Sequence, residues 1–314
     1  PISADIRAHF DNARSLYEAK LRPMLLSEHG LDEAAAAGVD RDHAFSRDDR
    51  LAKTLLLAAL APGVKAFGNL DAGKLAALNH GTVRSRVVGN EAALVLGKVR
   101  KWAQVVGEIS IGEGDNPVIS LDLSGVDYDS ILERVANEDT EGARRRLLKE
   151  MLFAQFGVKD DNGLFGTAAV STVWRGTRRT VDVLFGNIRN RNELPDDAFV
   201  ARAGTWRMVL DYPSDESGHT PQDDHIRLDS LAADLATTTV AWVPQFLTSE
   251  RSDDLGVLVR LEYLLAGVGD HFDDHAAHLP PEQRPIAREY LVNRRNALRT
   301  QLGEVLKQAY GVAR

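Results

Sequence analysis

Between Phe45 and Leu123 the chain carries three apolar-periodic segments and then two short alternating runs around the turn Gly112-Glu113-Gly114-Asp115-Asn116. No other feature limits the fold as much. Leu51, Leu55, Leu56 and Ala59 recur at helical spacing after Asp48 or Asp49, and Pro62-Gly63 stops that helix. Asp71 is placed to cap a short helix through Leu78, and Gly81 stands where a left-handed C-terminal residue is usual. Asn90 is placed to cap a longer helix carrying Leu94, Leu96, Val99, Trp102 and Val105 before Gly107. Glu108 to Ile111 and Pro117 to Leu123 alternate as half-buried strands do, so the turn between them predicts a hairpin. Three helices followed by a hairpin are the order of a winged helix, in which the third helix reads DNA when the fold binds it.

The flanks read less sharply. Ser3 can cap a helix through Ile6, Phe10, Tyr17, Leu21, Met24 and Leu25, which Pro23 should bend or break. Gly30 to Asp49 is rich in alanine and charge and is compatible with a short helix or a connector. Val126 to Phe156 is helical again, and Asp160 to Gly166 has the composition of a linker. Beyond it Val170–Trp174, Thr180–Phe185 and Trp206–Asp211 have strand texture, with a hairpin turn at Arg175 to Arg178. A polar loop from Tyr212 to Asp224 precedes helices over Thr248–Ala266 and Glu282–Tyr310. The fold class is therefore α+β. Its expected parts are a helical segment over residues 1–44, a winged-helix domain over 45–158 and an α+β domain with C-terminal helices over 167–314.

Composition excludes several classes. With 44% hydrophobic and 27% charged residues the chain can bury more than one core, and no apolar run approaches the roughly 20 residues of a membrane span. The absence of cysteine rules out disulfide staples and thiolate metal sites and fits a reducing cytoplasm. A net charge of −8 opposes indiscriminate binding of nucleic acid while leaving room for a local basic face. Pro1 at the start suits an excised fragment.

Several long phrases resemble one family. RSLYEAKLRPMLL, DDRLAKTLLLAALAP, LAALNHG, IGEGDNPVISLDLSGVD, WRGTRRTVDVLFGN, WRMVLDYPSDESGHTPQDD and LRTQLGEVLKQAYG together cover nearly the whole chain. They are similar to the PglY/BrxC ATPases of phage-growth-limitation (Pgl) and BREX defence systems. The resemblance implies a parent that hydrolyses ATP with Mg²⁺. It also implies a methyltransferase and an alkaline-phosphatase-like protein as partners, and homo-oligomerisation through the parent ATPase. Such an enzyme needs a G-x-x-x-x-G-K-[ST] phosphate loop. This chain has only Gly73-Lys74 and Gly97-Lys98, followed by Leu and Val. The expectation is an internal fragment, inactive alone and without its own cofactor, whose nucleotide-binding core lies upstream of Pro1. It would position the parent on DNA or partner proteins.

Four groups of residues are candidates for chemistry. Lys98, Arg100 and Lys101 on the third helix, with Arg84 and Arg86 before it, would contact duplex DNA phosphates, although Glu113 and Asp115 make the wing acidic. Arg47 and Arg50 would reach a nucleotide phosphate in the parent, since the guanidinium fork suits phosphate; pairing with Asp48 or Asp49 is the plainer reading. His271, His275 and His278 would share a helix face, as a metal site requires, and a solvated turn is the alternative. Asp211, Asp215, Glu216, His219, Asp223 and Asp224 crowd one loop, as acid–base or Mg²⁺ chemistry or a basic partner would need. The run ending at Asp211 has the look of a Walker B strand, but without a phosphate loop in the same chain an ordinary strand entering an acidic loop is the plainer reading. Two other functional classes compete with the positioning fragment: a self-standing winged-helix DNA-binding regulator, and a metal-dependent hydrolase using the histidine run.

Overall fold

α1 (Ala4–Leu16) continues through a π-helical turn, Tyr17–Leu21, into α2 (Arg22–His29). The computed structural model describes residues 4–85, 87, 89–112, 114, 116–159, 168–215, 217–265 and 271–312. Pro23 does not break the helix as expected. It sits in the first turn of α2, and the Arg22 N–H bonds to the Tyr17 carbonyl five residues back. The widened turn makes room for a ring that clashes with an ordinary helical carbonyl.

Two compact units divide the chain, residues 1–136 with 261–298 and residues 137–260 with 299–314. In the first unit the stretch from Gly30 to Asp49 resolves into α3 (Glu33–Gly38), capped by Asp32, and the start of α4 (Ala44–Leu60). α4 begins before Asp48 because His43 caps it, its ring Nδ1 accepting from Phe45 N at 3.2 Å. α5 (Ala72–Leu78) starts at the Asp71 cap, with Lys74 N donating to Asp71 Oδ1 at 2.8 Å. Asn90 precedes α6 (Glu91–Ala103), but its side chain makes no capping hydrogen bond. α6 buries Val95, Leu96, Val99 and Trp102 against Leu51, Leu55 and Leu75, whereas Leu94 and Val105 are exposed.

The expected hairpin forms as β1 (Ile109–Ile111) and β2 (Ile119–Leu121), antiparallel, with Ile109 opposite Leu121. β2 also touches the segment before α5, where Ile119 N donates to Leu70 O at 2.7 Å. Glu108 anchors the hairpin's base from a buried position. Its Oε1 accepts from Lys20 Nζ at 2.9 Å and its Oε2 from the Tyr128 hydroxyl at 2.8 Å. Tyr128 in turn accepts from Gly107 N at 2.8 Å, and burial, with Glu108 beside it, holds its phenol well above the usual range. α7 (Asp129–Arg134) follows.

The second unit opens with α8 (Glu141–Phe156), capped by Thr140 and ended by Gly157 at φ 65. β3 (Ala168–Trp174) pairs antiparallel with β4 (Thr177–Phe185) through Arg175 and Gly176, both left-handed as a two-residue hairpin turn requires. β5 (Trp206–Leu210) lies parallel to β4, and α9 (Pro221–Asp234) leads to β6 (Thr239–Trp242), parallel to β5. The sheet order is β3-β4-β5-β6. Val183 and Leu210 pack with Phe153 on one face, and Leu184 and Val209 pack with Phe199, Leu228 and Leu231 on the other.

The chain is thus mixed α and β as expected, while parallel pairing, α9 and β6 go beyond the sequence reading. α9 begins within the supposed loop, where Thr220 and Asp223 form a capping box. α10 (Ser249–Leu265), α11 (His271–His275) and α12 (Arg284–Ala309) complete the elements. No helix among the described residues is long and apolar enough to cross a membrane. The linker stretch from Asp160 to Gly166 lies outside the described residues.

Candidate functional site

Cations from three elements of the first unit line one cavity of about 240 Å³: Arg47 from the first turn of α4, Arg84 from the segment after α5, and Lys98 from α6. Asp48 and Thr82 share its wall. Asp48 is buried, and its Oδ2 receives Lys98 Nζ at 2.6 Å and lies 3.0 Å from His29 Nε2. Arg84 meets Asp42 at 2.9 Å on the surface, with both side chains mostly exposed. Arg50 donates to Thr82 Oγ1 at 2.8 Å. Among the described residues the Arg47 guanidinium has no hydrogen-bond or ion-pair partner.

The fold therefore gathers Arg47, Arg84 and Lys98, which the sequence had divided between nucleotide and DNA roles. It also separates the α6 cations. Lys98 answers Asp48 of α4, Lys101 lies 3.5 Å from Glu28 of α2, and Arg100 is exposed without a partner among the described residues. Trp102 Nε1 donates to the same Glu28 at 3.1 Å. Arg86, Glu113 and Asp115 lie outside the described residues. Asp48 is the residue whose role sequence reasoning missed. Its partners are 19 and 50 positions away, so no local pattern marks it.

Glu28, His29 and Asp48 are the one group of three or more histidines and carboxylates among the described residues whose donor atoms lie within 4.8 Å of one another. Lys98 and Trp102 already occupy its carboxylates, which makes it a hydrogen-bonded network. The expected histidine trio disperses. His271 stacks on Tyr263 at 4.4 Å between ring centroids and His275 meets the same ring edge-on, but His278 Nε2 lies 2.9 Å from Ser130 Oγ.

In the second unit the acidic residues gather beyond the C-terminal ends of β4 and β5, where open parallel sheets commonly hold ligands. Asp211 follows β5 directly, and its Oδ1 accepts from Ile188 N at 2.8 Å. Asp224 Oδ1 accepts from Arg189 N, the next amide, at 3.0 Å. Both residues are almost fully buried, and their Oδ2 atoms have no hydrogen-bond partner among the described residues. Burial pushes the Asp211 carboxyl up to about 8, and burial likewise raises Asp224. Asp215 is committed elsewhere, accepting from Arg189 Nε at 2.5 Å and Asn187 Nδ2 at 2.9 Å. Asp223 caps α9, and the Thr220 amide holds its carboxyl below the usual range. His219 stands 4.0 Å from Asp223, and Glu216 lies outside the described residues. A Mg²⁺ ion needs ionised oxygen ligands. Burial favours the protonated form of the Walker-B-like Asp211, so an ion there would have to displace that proton.

Residues 131–314 match the family model for the PglY fourth domain, and residues 1–115 match that for the second domain of the BREX System ATPase PglY protein. No solved structure matches this chain. Between them the two family matches span nearly every element described above, and the fourth-domain match alone exceeds half of the chain. This chain belongs to the PglY family of BREX-system ATPases.

Proposed function

We propose that this chain is a non-catalytic part of a PglY protein, and that it positions the ATPase on other components of the phage-defence system. One observation carries the reading. α4, α5, α6 and the β1–β2 hairpin succeed one another as three helices and a hairpin, which supports a winged-helix reading, with the isolated Asp71–Val118 bridge in place of its first strand. In this reading α6 is the third helix of that winged helix. Two of its cations already answer Glu28 and Asp48, so its lysine face serves internal cohesion and the outer surface is left for protein contact. The methyltransferase and the alkaline-phosphatase-like protein implied by the family are the partners of choice. Duplex DNA is the second reading, favoured by the exposure of Arg84 and Arg100.

The 314-residue chain, purified to homogeneity, should hydrolyse no ATP and should co-elute with one of those two proteins in size-exclusion chromatography. ATP turnover that survives purification would sink the non-catalytic reading, and elution apart from both proteins would sink the positioning reading. For the second reading, fluorescence anisotropy with a labelled duplex should show binding that falls steeply with salt and drops when Arg84 and Arg100 are both reversed to Glu. Absence of binding at low salt removes it.

A further inference from the structure

We infer that the cavity between α4, the segment after α5 and α6 is a phosphate-binding site, with Arg47 as its principal ligand. The inference stands on the first unit alone and does not depend on the positioning role. Three long cationic side chains from three separate elements meet at one cavity of about 240 Å³. Lys98 is fixed there by Asp48, which is buried and shared with His29, so its ammonium is a permanent part of the wall. Arg84 is tied only by an exposed ion pair with Asp42, a kind of contact worth about 0–1 kcal/mol, so it is free to exchange that carboxylate for a stronger anion.

Arg47 differs from both. It projects from the first turn of α4, where no acidic residue stands, and its planar fork has no partner among the described residues. The first turn of a long helix also carries the positive end of the helix dipole, which favours an anion. Arg50 donates to Thr82 Oγ1, which leaves the Thr82 hydroxyl proton free to point at an oxygen in the cavity. A tetrahedral oxyanion therefore meets a bidentate guanidinium, a second guanidinium and a hydroxyl donor, while the Lys98 ammonium offsets the Asp48 carboxylate in the same wall. A phosphate group, whether of a free polyphosphate or of a nucleic-acid backbone, matches that set.

The test uses the full chain and two probes, inorganic tripolyphosphate by isothermal titration calorimetry and a short labelled duplex by anisotropy, both at low salt. Arg47→Gln is the informative variant, because a side chain without partners can be replaced without unfolding the protein. It should weaken binding of the effective probe about tenfold or more. Arg295→Gln, a change at a half-buried residue outside the cavity, should leave binding unchanged. Binding of tripolyphosphate that depends on Arg47 assigns the site to a free phosphate ligand, and Arg47-dependent binding of the duplex alone assigns it to a nucleic-acid backbone. Failure of both probes to bind, or equal binding by Arg47→Gln and the parent chain, overturns the inference. Loss of the site would leave the co-elution test of the positioning role untouched.

Discussion

Asp211 and Asp224 hold consecutive backbone amides of one loop, Ile188 N and Arg189 N, with their Oδ1 atoms, while their Oδ2 atoms stay buried without a hydrogen-bond partner among the described residues. Burial, and the neighbouring carboxyl, favour a proton on this pair, and it rests on Asp211. The pair joins the ends of β4 and β5 to the first turns of α9. Tyr310 adds to the junction, donating its hydroxyl to the Asp211 carbonyl at 2.5 Å.

This pair makes the stability of the second unit depend on pH. Asp211 binds its proton up to about pH 8 when folded and only to about pH 4 when unfolded. Its folded value is raised, so the stabilisation is complete below the unfolded value and is lost as pH rises through about 8. Asp211→Asn keeps an oxygen for Ile188 N and supplies an N–H to Asp224 without titrating. Urea midpoints measured across this range should fall with pH in the parent chain and be flatter in the variant. Equal slopes would contradict the proton on Asp211.

Lys98 should prove a structural residue. Lys98→Met leaves Asp48 buried with only His29 beside it and should cost about 1–3 kcal/mol in urea unfolding. Adding Asp48→Asn should recover part of that loss, because the stranded charge goes with it. A Lys98→Met chain as stable as the parent would show that the ion pair holds nothing together.

Tyr128→Phe removes the hydroxyl that both donates to Glu108 and accepts from Gly107 N. Two buried groups then lose a partner, and the expected cost is about 2–3 kcal/mol, read as a lower thermal midpoint. A change within a few tenths of a kcal/mol of zero would mean that water replaces the hydroxyl.

Gly107→Ala should be worse than an ordinary glycine replacement. A Cβ there meets the Tyr290 carbonyl oxygen at 2.8 Å and the Tyr128 ring at 3.2 Å, and the backbone oxygen cannot swing aside. The variant should lose about 1–3 kcal/mol, as overpacked sites do, measured by urea unfolding. Gly30→Ala, where nothing crowds the added methyl, is the comparison for the cost of the left-handed backbone alone, at φ 61.

Much of this protein was legible in its sequence because the signals were local. The Asp71 cap and the alternation of β1 and β2 each lie within one short window, and each formed where its residues put it. The long phrases that resemble PglY are also local, and the family they indicate is the one the two domain matches show. Where a window misled, a distant contact had intervened. Leu94 has the look of a core position, yet α6 turns it outward because Val95 and Val99 face α4 and α5.

The acidic loop and the basic residues were legible only as inventories. Nothing near Asp211 in the chain says that its carboxyl neighbours that of Asp224 or that the Ile188 amide binds it, since parallel strands bring together segments separated by long crossovers. The pairing of Lys98 with Asp48, across 50 positions, is of the same kind. Sequence by itself determined most of the helices, the hairpin and the family, because caps, turns and apolar periods act over a few residues. Tertiary structure alone decided which charges meet, leaving Lys98 neutralised and Arg47 free beside it, because burial and ion pairing are set by what the fold brings alongside.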